Sequence, residues 1–267
     1  MSEGRNQEIL SAVRDRYRQA AQSGGPAPAG CKPSACCGGV GLSPQQISSA
    51  LGYSAQEIAA APEGANLGLG CGNPQALAQL RPGEAVLDLG CGGGFDCFLA
   101  ARQVGPQGLV IGVDMTPEMI ARARANAAKV EAANVSFRLG EIEHLPVADA
   151  SVDVIISNCV INLAADKRAV YAEAFRALRP GGRLAVSDVV AFAPLPPEMK
   201  QDLSLWASCA AGAELEGDLR AILAEAGFRD IAIELNPASA DFIRQWAPGR
   251  GLENHLAAAR ISAVKPA

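Results

Sequence analysis

The segment that most restricts the fold runs from residue 85 to residue 104. Ala85-Val86-Leu87-Asp88-Leu89 is an apolar run of strand length, it ends in Gly90-Cys91-Gly92-Gly93-Gly94, and residues 95–104 follow with helical character. Glycine permits the sharp turn and close backbone approach that a strand–loop–helix crossing needs. The alternation then continues. Strands are expected at 109–114, 135–139, 152–157 and 183–188, with helices at 117–131 and 166–178, the latter stopped by Arg179-Pro180-Gly181-Gly182. Apolar strands alternating with helices are buried on both faces, which predicts an α/β fold with a doubly wound, mostly parallel, Rossmann-like sheet.

The flanks differ in texture. Residues 5–22 read as a polar helix with Ile9, Leu10, Val13 and Tyr17 at helical spacing. A Gly/Pro/Ala-rich stretch follows at 23–30 and leads to Cys31, Cys36 and Cys37, a composition that makes a loop. Ser43-Pro44-Gln45-Gln46 and Ser54-Ala55-Gln56-Glu57 are helix-start signals: Ser at the cap, Gln or Glu three residues on. Residues 67–74 hold too much glycine for regular structure and put Cys71 on what reads as an exposed loop. Beyond the fifth strand, a helix carrying Leu203, Trp206 and Cys209 on one face is expected, then a helix at 218–226 and strands at 231–235 and 258–264. The expected division is an N-terminal helical and Cys-rich extension (1–70), a cofactor-binding α/β domain (71–192), and C-terminal helices and closing strands, an α+β part (193–267).

The glycine loop says what the cofactor is not. A dinucleotide fingerprint needs glycine at the sixth position, where Phe95 stands. A G-x-G-x-G loop remains, which suits a cosubstrate without a pyrophosphate. Asp114 closes the second strand, where a carboxylate can accept hydrogen bonds from ribose hydroxyls. Gly140-Glu141-Ile142 follows the third strand, where an adenine would lie. S-adenosylmethionine fits this set better than a nicotinamide dinucleotide or a purely structural glycine turn.

Composition narrows the partners. With 23 Lys and Arg against 28 Asp and Glu, the formal net charge is −5, and no basic run exists to neutralise phosphates, so a nucleic acid is not expected. No apolar stretch reaches the roughly 18 residues of a membrane span. Residues 1–7 show no apolar signal region, so a cytoplasmic location is expected, and thiols stay reduced there. The eight cysteines are about 3% of the chain, below the ~8–10% of a disulfide scaffold. They are too scattered for the close ligand pairs of structural zinc, and the two histidines, His144 and His255, are far apart. Cys97, in the first crossover helix, reads as core, and Cys91 as a backbone contact to the cosubstrate with its thiol incidental. No stripe of exposed apolar residues calls for an oligomer, so a monomer is the default.

From about residue 50 to residue 265 the chain resembles the class I S-adenosylmethionine-dependent methyltransferases, and among them the arsenite methyltransferases. The residues that carry this are Leu67-Gly68-Leu69-Gly70-Cys71-Gly72-Asn73-Pro74, Val86-Leu87-Asp88-Leu89-Gly90-Cys91-Gly92, Gly112-Val113-Asp114-Met115-Thr116, Gly140-Glu141-Ile142-Glu143, Ser157-Asn158-Cys159-Val160-Ile161-Asn162-Leu163, Pro180-Gly181-Gly182 and Ser187-Asp188. The glycine loop and Pro-Gly-Gly belong to class I methyltransferases at large. The Asn-Cys-Val-Ile-Asn-Leu block, Cys71 and Cys209 are the specific part. The resemblance implies that Cys71, Cys159 and Cys209 bind As(III), and that Asp88, Gly90, Gly92, Asp114, Met115, Glu141, Ile142 and Asn158 line the cosubstrate site. Many relatives carry Ser at the place of Cys91. Cys36 and Cys37, with Cys31 beside them, are candidates for recruiting arsenite or resolving a disulfide during turnover.

The chemistry is coherent with those residue types. Arsenite is a soft centre whose oxygens thiolates replace. Three sulfurs leave a pyramidal arsenic with its lone pair exposed, and that lone pair is the nucleophile toward the methyl group. No proton has to leave, so the transfer needs no general base, which matches the scarcity of histidine. Arsenite and methylarsenite enter as thiol adducts, and a reductant such as thioredoxin or glutathione restores the thiols. Two other readings stay open at this point: a quinone- or sterol-type carbon methyltransferase with a large apolar pocket, and a non-enzymatic thiol protein that binds arsenic or another soft metal.

Overall fold

The computed structural model describes residues 3–23 and 42–267. Cys31, Cys36 and Cys37 lie outside the described residues. The order of elements is α1 (Glu3–Ser23), α2 (Pro44–Ala50), α3 (Ala55–Ala60), α4 (Pro74–Ala78), β1 (Ala85–Leu89), α5 (Phe95–Val104), β2 (Leu109–Asp114), α6 (Pro117–Lys129), β3 (Val135–Leu139) and β4 (Val152–Asn158). There follow α7 (Lys167–Ala177), β5 (Leu178–Ala191), α8 (Pro197–Lys200), α9 (Leu203–Trp206), α10 (Glu216–Glu225), β6 (Arg229–Asn236), α11 (Ala240–Arg244) and β7 (Leu256–Val264). Both helix-start signals act as expected. Ser43 and Ser54 each accept from the backbone three residues on, while Gln46 and Glu57 reach back to the cap N–H.

Among the described residues one seven-stranded sheet runs β3-β2-β1-β4-β5-β7-β6. β1 through β5 pair in parallel, and β7 is antiparallel to both of its neighbours. Strands from the expected C-terminal part thus hydrogen-bond directly into the sheet of the α/β region. β1 is buried along its whole length, as its unbroken apolar run requires. One core lies on the sheet face that carries Leu87, Leu89, Ile155 and Leu184 under α7 and α10. Another lies on the opposite face, with Val86, Val110 and Val154 under α5 and α6.

Arg179-Pro180-Gly181-Gly182 ends α7 but does not make a free loop. β5 pairs Val152 with Leu178, then Val154 with Arg183, so four residues bulge from the ladder. Gly181 and Gly182 are held there by backbone hydrogen bonds to Lys265 at 2.9 and 2.8 Å. The helix expected to carry both Trp206 and Cys209 is shorter than the sequence pattern indicates. It stops at Trp206, and Cys209 sits in the following turn with φ +63°. Ala210 and Ala211 both turn their N–H groups back to the Leu205 carbonyl, which closes that turn. Among the described residues no helix is long and apolar enough to cross a membrane.

Candidate active site

β1 has β2 on one side and β4 on the other, so the strand order reverses between β1 and β4. Ligands of open α/β sheets bind beyond the carboxyl ends of the strands at such a point. An open cleft lies there, with about 1030 Å³ of space when the solvent at its mouth is included. Asp88, Gly90, Cys91 and Gly92 line it from the loop after β1, Asp114 and Met115 from β2, Ile142 from beyond β3, and Asn158 and Cys159 from the end of β4. Leu10 and Tyr17 of α1 complete the wall. Glu141 does not line the cleft. Its carboxylate is ion-paired with Arg14 of α1, and Glu143 stands on the wall instead.

The glycines of the loop are there for space as well as for turning. Gly90 has φ +70°, and a Cβ on it would lie 2.4 Å from Val160 Cγ2. Asp114 braces the loop from the next strand: Oδ2 accepts from Gly92 N–H at 3.0 Å and Oδ1 from Thr116 N–H at 2.8 Å. Asp88 and Asp96 are buried behind the loop. Burial raises the pKa of Asp88, Asp96 and Asp114, and the Asp96 charge raises Asp88 further. Cys97 donates to Asp88 Oδ2 at 3.2 Å. Burial also pushes the Cys91 thiol up to about 11 and Cys97 well above its ordinary value, so both stay protonated and unreactive near neutral pH.

Cys71, Cys159 and Cys209 fall in one apolar cluster with Leu163, Trp206 and Val189. Cys71 corrects the expectation of an exposed loop: it is 6% exposed, packed into an apolar cluster that also takes in Ile9 and Val13 of α1 and Val189 of β5. The three cysteines are tied together through the backbone. The Ser187 carbonyl accepts from Cys159 N–H at 2.7 Å and from Cys71 Sγ at 3.5 Å, while Cys209 Sγ donates to the Cys159 carbonyl at 2.9 Å. Cys159 (φ +58°) and Cys209 (φ +63°) both take left-handed backbone, which a non-glycine residue adopts only when its surroundings impose it.

Asn158 serves two neighbours. It lines the cleft, and its amide also holds the Cys71 loop: Oδ1 accepts from Cys71 N–H at 3.0 Å and Nδ2 donates to the Gly72 carbonyl at 2.9 Å. Nδ2 also donates to Tyr53 Oη at 3.0 Å, and Tyr53 donates to Asp96 at 2.8 Å. Tyr53, Asp96 and Asp188 went unassigned in the sequence. Only Asp188 had a visible signal, a carboxylate at the end of an apolar strand.

Residues 80–227 match the family model of a methyltransferase domain. An arsenite methyltransferase from Halobacterium salinarum is 51% identical over 98% of this chain and 68% of its own length. The chain belongs to the arsenite methyltransferase family. A second arsenite methyltransferase, from Aquipseudomonas alcaligenes, is 47% identical over 60% of this chain, which spans only about half (48%) of that relative. Among solved structures, an arsenic(III) S-adenosylmethionine methyltransferase from Chlamydomonas reinhardtii superposes with a TM-score of 0.62 and 31% identity, covering 84% of this chain and 74% of that one.

The cleft fits the cosubstrate of this family on physical grounds. S-adenosylmethionine is cationic at its sulfonium and at its amino group. Asp88 and Asp96 are buried carboxylates and Asp114 a partly buried one, and no cation is among the groups that act most strongly on them. A cationic ligand would relieve their mutual repulsion. The chain is a class I S-adenosylmethionine-dependent methyltransferase in fold and in the composition of this cleft.

Proposed function

We propose that this enzyme methylates trivalent arsenic, with As(III) held by the thiolates of Cys71, Cys159 and Cys209. The observation that carries the reading is the meeting of these three cysteines, distant in sequence, in one buried cluster bordering the carboxylate-walled cleft. Cys159 belongs to both, since it lines the cleft and shares the cluster.

Asp88, Gly90, Cys91, Gly92, Asp114, Met115, Ile142 and Asn158 would hold the cosubstrate, Cys91 through its peptide; Glu141 would join them only by leaving Arg14. When bound, S-adenosylmethionine supplies an electrophilic methyl group, toward which the arsenic lone pair is the nucleophile. The thiols bind arsenic and orient that lone pair toward the cleft. Asn158 fixes the Cys71 loop against Cys159 and so sets the separation of two of the ligands. Leu163, Trp206 and Val189 keep water from the cluster. Rate enhancement rests on placement, because arsenic has no proton to lose in the transfer. Cys36 and Cys37 would recruit arsenite or resolve a disulfide in the cytoplasm, with thioredoxin or glutathione restoring the thiols.

Incubation with arsenite, S-adenosylmethionine and a thiol, followed by arsenic speciation, tests the reading. Methylated arsenicals are expected from the wild type. Cys159→Ser should lose them while still binding the cosubstrate by calorimetry. Unimpaired methylation in that variant would sink the three-thiolate scheme. Arsenic binding without methylation would mark a carrier, and indifference to arsenic a different methyltransferase.

A further inference from the structure

The cleft answers the cationic part of its cosubstrate but offers no counter-charge to the anionic part. S-adenosylmethionine carries an α-carboxylate beside its amino group. The described residues that line the cleft include the carboxylates of Asp88, Asp96, Asp114 and Glu143 and no Lys, Arg or His. A carboxylate entering such a wall must be met by neutral hydrogen-bond donors. Two side-chain amides line the cleft, those of Asn66 and Asn158. Asn158 is committed, since Nδ2 donates to the Gly72 carbonyl and to Tyr53 Oη. Asn66 Nδ2 is buried and has no hydrogen-bond partner among the described residues. Its amide is held in one orientation, because Oδ1 accepts from Gly68 N–H at 2.9 Å and from Ser48 Oγ at 3.1 Å. A buried donor left without an acceptor is destabilising, and in the wall of a cleft it marks where a ligand's acceptor belongs.

The backbone places Asn66 beside the glycine loop. A Cβ on Gly93 would lie 2.7 Å from the Ala65 carbonyl oxygen, and one on Gly70 would lie 2.9 Å from the Asn158 amide. Residues 65–70 therefore cross from the start of α5 to the end of β4, over the loop that Asp88 precedes and Asp96 follows. Asp114 and Ile142, where ribose and adenine are expected, lie on the β2 and β3 side. Resting on the cleft as the cosubstrate site, we propose that Asn66 Nδ2 donates a hydrogen bond to the α-carboxylate of S-adenosylmethionine. Asp88 and Asp96 are left to the amino group, so the two charges of the amino acid are read by different side chains. A charged acceptor and screening from bulk water both strengthen the bond. Asn66 thereby selects ligands that keep the carboxylate over decarboxylated ones, and it fixes the methionyl chain from which the methyl group is presented to the cysteine cluster.

Calorimetry on the full chain tests this with two ligands. One is S-adenosylhomocysteine; the other is its decarboxylated analogue, which keeps the adenosyl thioether and the amine. The wild type should prefer S-adenosylhomocysteine, and Asn66→Ala should shrink that preference about tenfold, the size of one hydrogen bond to a charged group. Asn66→Asp keeps Oδ1 for Gly68 and Ser48, so the turn stays intact, and replaces the donor with an acceptor. It should bind S-adenosylhomocysteine about tenfold more weakly or worse, with the analogue weakened by no more than about twofold. A preference unchanged in Asn66→Ala, or equal losses of both ligands in Asn66→Asp, overturns the proposal. Nuclear magnetic resonance gives a reading on the wild type itself. The side-chain amide signals of Asn66, assigned by their absence from Asn66→Ala, should move with S-adenosylhomocysteine and much less with the analogue; equal movement overturns the proposal. Asp114→Ala checks the cleft separately and should weaken both ligands alike. If it weakens neither, the cleft is not the cosubstrate site and this inference falls with that reading. A shared loss in Asp114→Ala beside an unchanged preference in Asn66→Ala removes this inference alone.

Discussion

Cys159 and Cys209 hold left-handed backbone that costs of order 1 kcal/mol or more each, and the surrounding cluster sustains it. Trp206 reports on that cluster. It is 6% exposed, its indole N–H donates to the Leu163 carbonyl at 3.3 Å, and Lys167 Nζ lies 5.3 Å from its ring centre. On adding As(III), Trp206 fluorescence is expected to change in a Trp246→Phe background; a flat titration there counts against Cys209 as a ligand. Gly90 makes a second prediction at this scale. Alanine there combines φ +70° with a 2.4 Å contact to Val160, so Gly90→Ala should cost roughly 2–4 kcal/mol in urea unfolding. It should also weaken cosubstrate binding, and a variant as stable as wild type would show that the loop relaxes freely.

At the scale of elements, α1 is the part whose role goes furthest beyond its sequence pattern. Its apolar stripe predicts an amphipathic helix, and in the fold Ile9 and Val13 are fully buried in the cysteine cluster while Leu10 and Tyr17 face the cleft. Its tethers include the Arg14–Glu141 ion pair, Arg5, which donates to the Gln201 carbonyl at 2.5 Å, and Arg122, which donates to the Ala21 carbonyl at 2.6 Å. Ile9→Ala removes a buried side chain from this seam, which costs about 2–5 kcal/mol at a core site. Because α1 forms a wall of the cleft, the loss should appear as faster amide exchange confined to α1 and a weaker affinity for S-adenosylmethionine. Unchanged exchange in α1 would mean that the tethers suffice without the apolar seam.

For the whole molecule, a bidentate pair ties together the end of the sheet remote from the site, where β1 begins and β5 enters its parallel ladder with β4. Arg183 of β5 binds both oxygens of Glu84 at 2.7 and 2.9 Å and reaches the Ala78 and Gln79 carbonyls. Partial burial pushes Glu84 up, but the hydrogen bonds and charge of Arg183 outweigh it and hold the carboxyl below its ordinary 4.5. A depressed carboxylate pKa stabilises the fold above the unfolded value and loses that contribution as pH falls through the folded one. Melting temperature should therefore drop as pH is lowered below about 4.5, and Glu84→Gln should flatten that part of the profile. An unaltered acid limb in Glu84→Gln would place the acid sensitivity elsewhere.

Read alone, the sequence determined the alternation of strands and helices, the glycine loop, both capping boxes and the segments that carry cysteine. These are local properties, set by side-chain periodicity and by the turn and cap chemistry of near neighbours. The tertiary structure alone decided four things: that Cys71 is buried, that α9 stops at Trp206 and leaves Cys209 in a strained turn, that Asn158 serves the Cys71 loop as well as the cleft, and that Asp188 joins two of the thiols. Each depends on the register of β4 against β5 and on what closes over their carboxyl ends. Such contacts join residues that are far apart in the chain, and no local pattern encodes them.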